Sequence, residues 1–472
     1  MNLKYWALAP EALVVALALL LLLNGRFRPA ALRRFRPRLP AAAAAVLLVA
    51  LGLELWAGAT VGSYFDGGFA QDRLALFAKA AALLATAVAI AVADWPAEDS
   101  SSLSLAMPLF ALFGLMVTAS AGDVVGVWAG LELAAAAGAG LLAVRRPDLG
   151  LRLLLLGAAA SAMTLFGFAY VYATAGTADL LGIRQVLVGA APTLPLALPV
   201  LLIVGALAFR ATLSPAQIAS GPTLPPPSPL GVGLLAGVGA STALIAAIKI
   251  AAALSPVSPV YGPYMEVVAA IVMLGAGAAA LAVRTPRARV AFLAAGQAGW
   301  ILAGVSTHFR GGLGSAVFLL GAFVFAATAG PAAMGASGFA EASLAGLGTL
   351  RPHRAAALTL ALLSLAGTPP LAGFFGEFTV AAAIAQSGHF ELLAIGMLGS
   401  VMSTIAALGT IRALYLLNPI EEARRGIAAL PAFTRFSAGA ALVMCAVFGA
   451  YILWANPILT LADQGAEGLG LK

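Results

Sequence analysis

Long apolar runs, set apart by short clusters of Pro, Gly, Arg and Asp, dominate the chain; Leu13–Asn24, Ala41–Leu53, Leu74–Ala93 and Val267–Val283 are four of many. A segment needs about 20 mostly apolar residues to cross roughly 30 Å of hydrocarbon. The runs and the turn residues between them predict spans at 7–24, 39–58, 73–93, 102–121, 123–144, 150–173, 193–218, 229–254, 260–283, 289–307, 311–337, 354–386, 390–418 and 435–460. The longest gap, 174–192, cannot hold a further domain, so 1–472 reads as a single polytopic membrane domain. Helices 1–3 fall at 1–95, a first repeat at about 102–254, a second at about 260–418 and a last helix at about 435–460. The fold class is all-α integral membrane, with about 14 transmembrane helices.

Composition removes the soluble alternative. Of 472 residues, 62% are hydrophobic and 10% charged, against about 25% charged in a soluble domain. The lone Cys445 excludes an internal disulfide, and no Cys or His cluster could hold zinc, haem iron or an iron–sulfur centre. The net charge of +7 raises the question of a nucleic-acid partner. Its placement answers no. Alternate loops carry Arg26, Arg28, Arg33, Arg34, Arg36 and Arg38, then Arg145 and Arg146, then Arg284, Arg287 and Arg289, then Arg351 and Arg354, then Arg424, Arg425 and Arg435. The opposite side has only Lys4, Arg73, Arg184, Arg310 and Lys472. That asymmetry supports the count of fourteen spans and predicts a multi-pass membrane protein with both termini outside. The cluster at 26–38 reads as a cytoplasmic anchor, and because it follows the first apolar stretch, no cleaved signal peptide is expected. Trp6, Trp56, Trp95 and Trp454 fall near span ends, as interfacial indoles do. Gly231, Gly233 and Gly237 sit mid-span with no strand before them, so they are packing residues and not a dinucleotide loop.

Ionisable groups inside spans are costly and mark function by default. Glu132 lies near the middle of span 5, with Asp123 at that helix's start; Arg152 opens span 6, Arg210 is deep in span 7, Lys249 lies toward the outer end of span 8, and Glu377 is deep in span 12. Glu54, Lys79 and Arg412 sit nearer span ends and read as snorkelling groups or structural ion pairs. Helix breakers stand beside two of these residues. Pro215 follows Arg210 by five residues, and Pro369 and Pro370 precede Glu377. The two breaks are five spans apart, so their segments cross the membrane in opposite directions. This is the mark of inverted five-helix repeats with broken helices 7 and 12 lining a hydrated path. The separation of Arg210 from Glu377 argues against a catalytic carboxylate pair, and no nucleophile motif appears in the sequence.

Several strings carry a family likeness. They are Gly122-Asp123-Val124-Val125 leading to Gly130-Leu131-Glu132-Leu133, Leu151-Arg152 followed by Leu155-Leu156-Gly157-Ala158, Tyr172 to Leu180, and above all Leu363-Ser364-Leu365-Ala366-Gly367-Thr368-Pro369-Pro370-Leu371-Ala372-Gly373-Phe374-Phe375-Gly376-Glu377-Phe378. Over roughly 10–420 the chain resembles the antiporter-like membrane subunits of bacterial proton-translocating NADH:quinone oxidoreductase, respiratory complex I, in its subunit N branch. The resemblance implies a non-redox membrane-arm subunit that contributes to proton translocation coupled to quinone reduction elsewhere. It implies no cofactor in this chain, with flavin, iron–sulfur clusters and quinone in other subunits. The implied partners are a neighbouring subunit M, small subunits such as K, and the lipid bilayer. A cation/proton antiporter, a membrane-hydrogenase subunit and a structural subunit that does not pump are the alternatives.

The same resemblance implies that Glu132 is ionised and held by Arg152, which stands where a lysine is usual, and that Arg210 replaces the lysine of helix 7. The central lysine of helix 8 would fall at Gly239 or Ala240, with Lys249 about nine residues too late. Glu377 stands where subunit N has lysine and subunit M has glutamate; the loop after helix 7 is reduced to Pro215-Ala216-Gln217, and Gln297 replaces a histidine. The candidate proton path is therefore Glu132, Arg152, Arg210, Lys249 and Glu377. Arginine stays protonated above pH 12, so Arg152 and Arg210 are fixed charges and Glu377 is the expected titrating group.

Overall fold

A computed structural model describes residues 6–27, 38–57, 62–93, 95, 102–144, 146–188, 194–212, 229–307, 310–335 and 344–418, together with Val443 and Thr460. Among them, ten helices are long and apolar enough to cross a membrane, and two shorter apolar stretches lie at Ala9–Gly25 and Ala197–Ala211. The elements in order are α1 (Ala9–Phe27), α2 (Leu39–Ala57), β1 (Gly62–Tyr64), β2 (Phe69–Gln71), α3 (Arg73–Val92), α4 (Ser102–Ser120), α5 (Val124–Ala143), α6 (Pro147–Ala175), α7 (Leu180–Leu187) and α8 (Leu194–Ala211). There follow α9, running as Pro229–Gly233, a π-helical turn Leu234–Gly239 and Ala240–Ala253, then α10 (Ser258–Ala282), α11 (Pro286–Ser306), α12 (Arg310–Ala332), α13 (Leu347–Leu350), α14 (Pro352–Leu365), α15 (Ala372–Gln386) and α16 (Phe390–Leu416). Pro215 and the span expected at 435–460 lie outside the described residues, apart from Val443 and Thr460.

The expectation of an all-α chain needs correction at one place. β1 and β2 pair antiparallel, Gly62 opposite Gln71 and Tyr64 opposite Phe69. Their turn uses positive φ at Phe65, Asp66 and Gly67, the geometry a tight hairpin needs and an Asp-Gly step accommodates. The gap between predicted spans at 174–192 contains α7. The span read as continuous over 354–386 is two helices, α14 and α15, with Ala366–Leu371 between them.

α11 and α12 form the centre and are almost wholly buried, whereas α6, α10 and α16 each present a broad outer face. Leu151, Leu155 and Phe166 on α6, and Ile405 and Leu416 on α16, are exposed apolar residues of the kind lipid or a neighbour covers. Glycine sets the closest approaches. A Cβ on Gly130 would stand 2.3 Å from Thr118 Oγ1, and one on Gly237 would stand 2.0 Å from Thr328 Oγ1. The first draws α5 onto α4, and the second draws the π turn onto α12, as small residues do in lipid.

The hairpin, the turn at 121–123 and the start of α7 meet at one end of the bundle. Gly122 N–H donates to Gly68 O at 3.2 Å, Val124 N–H to Ala178 O at 3.0 Å, and Leu180 N–H to Gly122 O at 3.0 Å. Asp72, Asp123 and Asp179 cap the helices that leave this end, each accepting from a backbone N–H at 2.6 Å. Asp123 is thus a helix cap. At the other end, arginines meet helix C-termini: Arg289 donates to Ala280 O and Val283 O of α10, and Arg354 donates to Val92 O of α3. A cation there complements the helix dipole and the last free carbonyls.

Candidate functional site

α8 delivers Arg210 in its last turn, where the side chain reaches across two neighbouring helices. Its Nη2 lies 2.6 Å from Glu132 Oε1 of α5 and donates to Gly157 O of α6 at 2.7 Å, while Nη1 donates to Leu131 O at 3.4 Å. Arg210 is buried, and the Glu132 side chain is one-third exposed at 33%. The pair expected for Glu132 is therefore corrected: its cation is Arg210, and Arg152 is exposed on α6. The reason is helical phase. The buried stripe of α6 runs Gly150, Leu153, Gly157, Ala160, Thr164, Gly167 and Val171. Residues five apart on a helix differ by about 140° around its axis, so Gly157 faces the site and Arg152 turns away.

A small cavity of about 60 Å³ adjoins the pair, lined by Arg210, Gly157, Leu235, Gly239 and Thr242. Gly239 belongs to the π turn of α9, a feature that often accompanies functional positions. The position where the resemblance places a helix 8 lysine is thus beside the arginine, and Thr242 is the polar group there. Lys249, further along α9, is buried and donates to Ala119 O at 2.5 Å and Ala121 O at 2.7 Å. Its ammonium closes the C-terminus of α4. It also lines a larger cavity of about 210 Å³ with Gln71, Asp72, Gly122, Asp179 and Arg184.

Glu377 lies 6% exposed on α15. Ser400 Oγ–H of α16 donates to Glu377 Oε2 at 2.7 Å, and Trp300 Nε1–H donates to Ser400 Oγ at 2.9 Å. Gly367, at φ +67°, folds the α14–α15 break around the acid: a Cβ there would stand 2.1 Å from Glu377 Oε2. Gln297, in the place of the expected histidine, donates to Ser364 O at 2.8 Å and so fastens the break. No ion pair to Glu377 is recorded among the described residues. The Pro369–Pro370 peptide bond in this break is cis.

The structure thus joins Glu132 with Arg210, sets Lys249 and Glu377 at separate buried points, and leaves Arg152 outside. Residues 121–403 match the family described as NADH:quinone oxidoreductase/Mrp antiporter, TM. The chain belongs to this family. The matched stretch contains Glu132, Arg152, Arg210, Lys249 and Glu377. Among relatives of this family's antiporter-like subunits, the NADH-quinone oxidoreductase subunit N of Granulibacter bethesdensis is 28% identical over 483 residues, covering 98% of this chain and 99% of its own. Two solved structures share the fold. A chain of respiratory complex I from Thermus thermophilus with bound aureothin superposes with a TM-score of 0.77 at 22% identity, covering 96% of this chain and 99% of that one. A chain of the Mrp complex from Dietzia sp. gives 0.79 at 20% identity, covering 99% and 98%.

Sequence reasoning missed one cluster. Glu11, which it did not single out, joins Glu54 and Lys79 around Gln71. The available signal was depth: each of the three ionisable residues lies one to two turns from the same end of its own span.

Proposed function

We propose that this chain is the subunit N of the membrane arm of a proton-translocating NADH:quinone oxidoreductase, moving protons with energy from redox chemistry in other subunits. The observation that carries the reading is the end-to-end likeness to a relative of that name, 98% of one chain on 99% of the other. The arrangement of buried charge supports it. Arg210 holds a permanent positive charge against Glu132, and a proton approaching along the cavity beside them meets that field. Glu377, wrapped by a helix break and hydrogen-bonded to Ser400, is the acid best placed to accept and release a proton. Lys249 stands as a second cation between the π turn and the larger cavity.

In this reading the enzyme activity belongs to the complex, and the chain contributes as a non-redox subunit. Flavin, iron–sulfur clusters and quinone sit in other subunits, and the neighbours are a subunit M and small subunits such as K. Fourteen spans, inverted repeats at about 102–254 and 260–418, and both termini on the periplasmic side complete the proposal.

The test is Glu377→Gln in the assembled complex, with protons translocated per electron pair measured in sealed vesicles. The expected result is a lower ratio with quinone reduction intact. An unchanged ratio removes Glu377 from any working path, and with Gly239 where the resemblance expects a cation, it favours a subunit that completes the arm without pumping.

A further inference from the structure

Three of the four helices that precede the family match, α1, α2 and α3, together with β2, bring four polar side chains to one buried point. Lys79 of α3 has no solvent exposure. Its Nζ lies 2.8 Å from Glu11 Oε1 of α1, 3.0 Å from Glu54 Oε1 of α2 and 2.6 Å from Gln71 Oε1 of β2. Gln71 Nε2–H donates in turn to Glu54 Oε1 at 2.6 Å. The three N–H donors of one ammonium have three oxygens in reach. The other carboxylate oxygens, Glu11 Oε2 and Glu54 Oε2, are buried without a hydrogen-bond partner.

Two carboxylates around one ammonium leave a negative charge uncompensated within the cluster; among the described residues the cation Lys249 lines the larger cavity with Gln71, but it stands beside Asp72 and gives its hydrogen bonds to Ala119 O and Ala121 O. α4 carries no ionisable residue, and α12 has only Arg310, at its first position. Asp72 is occupied in capping Ala75, Arg73 is exposed, and the Phe69 ring stands 5.4 Å from Lys79 Nζ. Along α1 and α2 the only acids are Glu11 and Glu54 themselves. An unbalanced charge in so dry a place is strongly unfavourable, and the usual remedy is to bind a proton.

We infer that Glu11 and Glu54 share one exchangeable proton beside Lys79, forming a proton-binding site separate from the Glu132–Arg210 pair and from Glu377. One carboxylate takes a proton from a hydronium ion, releasing water, and the reverse step returns it. The way in is the larger cavity. Gln71, which bonds both Lys79 and Glu54, lines it, and so does Lys249. Hence a proton held here is exchanged at the end where the hairpin, the turn at 121–123 and α7 meet. The site goes beyond the proposed function and rests on that reading only for which side of the membrane this end faces.

The test uses the assembled complex and pH-induced infrared difference spectra, which record the C=O stretch shown only by a protonated carboxyl. Glu11→Gln and Glu54→Gln are each expected to remove the same one-carboxyl band, because the acid left behind is balanced by Lys79. The double variant removes no more than either single one. Lys79→Met has the opposite effect: both acids become neutral and the band gains a second carboxyl. A band that survives either glutamine substitution, or losses that add in the double variant, overturns the sharing. Where a glutamine variant fails to assemble, Glu11→Asp and Glu54→Asp retain an acid and must move the band's frequency; a stationary band overturns the site equally. The readout is independent of pumping. Normal translocation in Glu377→Gln would refute the proposed function while leaving this band in place.

Discussion

Arg210→Met separates the two pairings proposed for Glu132. The Arg210 side chain is 8% exposed and bonds Glu132 at 2.6 Å, whereas the Glu132 side chain is 33% exposed. Removing one partner of a fully buried pair costs about 3–5 kcal/mol, and an exposed pair is worth about 0.2–1 kcal/mol. One-third exposure of the acid places this pair between them, at about 2 kcal/mol of coupling. The carbonyls of Gly157 and Leu131 lose their donor as well, adding about 1 kcal/mol each to the single variant but cancelling from the cycle. The assay is a double-mutant cycle of Arg210→Met with Glu132→Gln, read by equilibrium unfolding of the purified protein in mixed micelles. A coupling of about 2 kcal/mol corresponds to roughly 30-fold in the unfolding constant. The parallel cycle with Arg152→Met should give coupling within about 0.5 kcal/mol of zero, because that side chain points away. Coupling of Glu132 to Arg152 as large as to Arg210 would refute the helical-phase argument.

Three further outcomes follow from the geometry. Gly367→Ala places a Cβ against the Glu377 carboxylate and a side chain at φ +67°; the backbone cost alone is about 1–2 kcal/mol, and translocation in vesicles should fall with it, so a variant of normal stability and activity would contradict the described break. Lys249→Met strips the donor from two carbonyls at the end of α4, and a loss of about 2–3 kcal/mol is expected in denaturant titration; an unchanged midpoint would show that those contacts carry nothing. With Cys445 first replaced, single cysteines near either terminus should react with a membrane-impermeant reagent added from outside, and protection of both would reverse the proposed orientation.

The helices were legible wherever burial in lipid sets their length. The runs at 73–93 and 102–121 become α3 (Arg73–Val92) and α4 (Ser102–Ser120), because apolar length is what the bilayer selects. The hairpin escaped notice because its strands have three residues each, although Phe65-Asp66-Gly67-Gly68 carries a turn signal. The two helices within 354–386 were obscured because their apolar character runs on through Pro369 and Pro370; only the backbone changes there. For the site, residue type was readable and rotational phase was not. Arg152 and Arg210 look equally suitable as charges near Glu132, and the discriminating pattern is the stripe of small residues on α6 that excludes Arg152. Glu11, Glu54 and Lys79 are separated by up to 68 positions, and only the alternating direction of three spans brings them level.

The knot of main-chain hydrogen bonds at the hairpin, the 121–123 turn and α7 has a consequence for how this end of the molecule can vary. Its donors and acceptors are peptide groups, which every residue but proline supplies, so most side chains there can be exchanged without loosening it. Its spacing has no such freedom. A Cβ on Gly122 would fall 1.8 Å from Gly67 O, and adding or deleting one residue in any of the three segments would shift a donor off its acceptor. Tolerance at this end is therefore a matter of counting residues and of keeping Gly67, Gly122 and the three capping aspartates, so that a single-residue insertion should be far more damaging than several substitutions at other positions there.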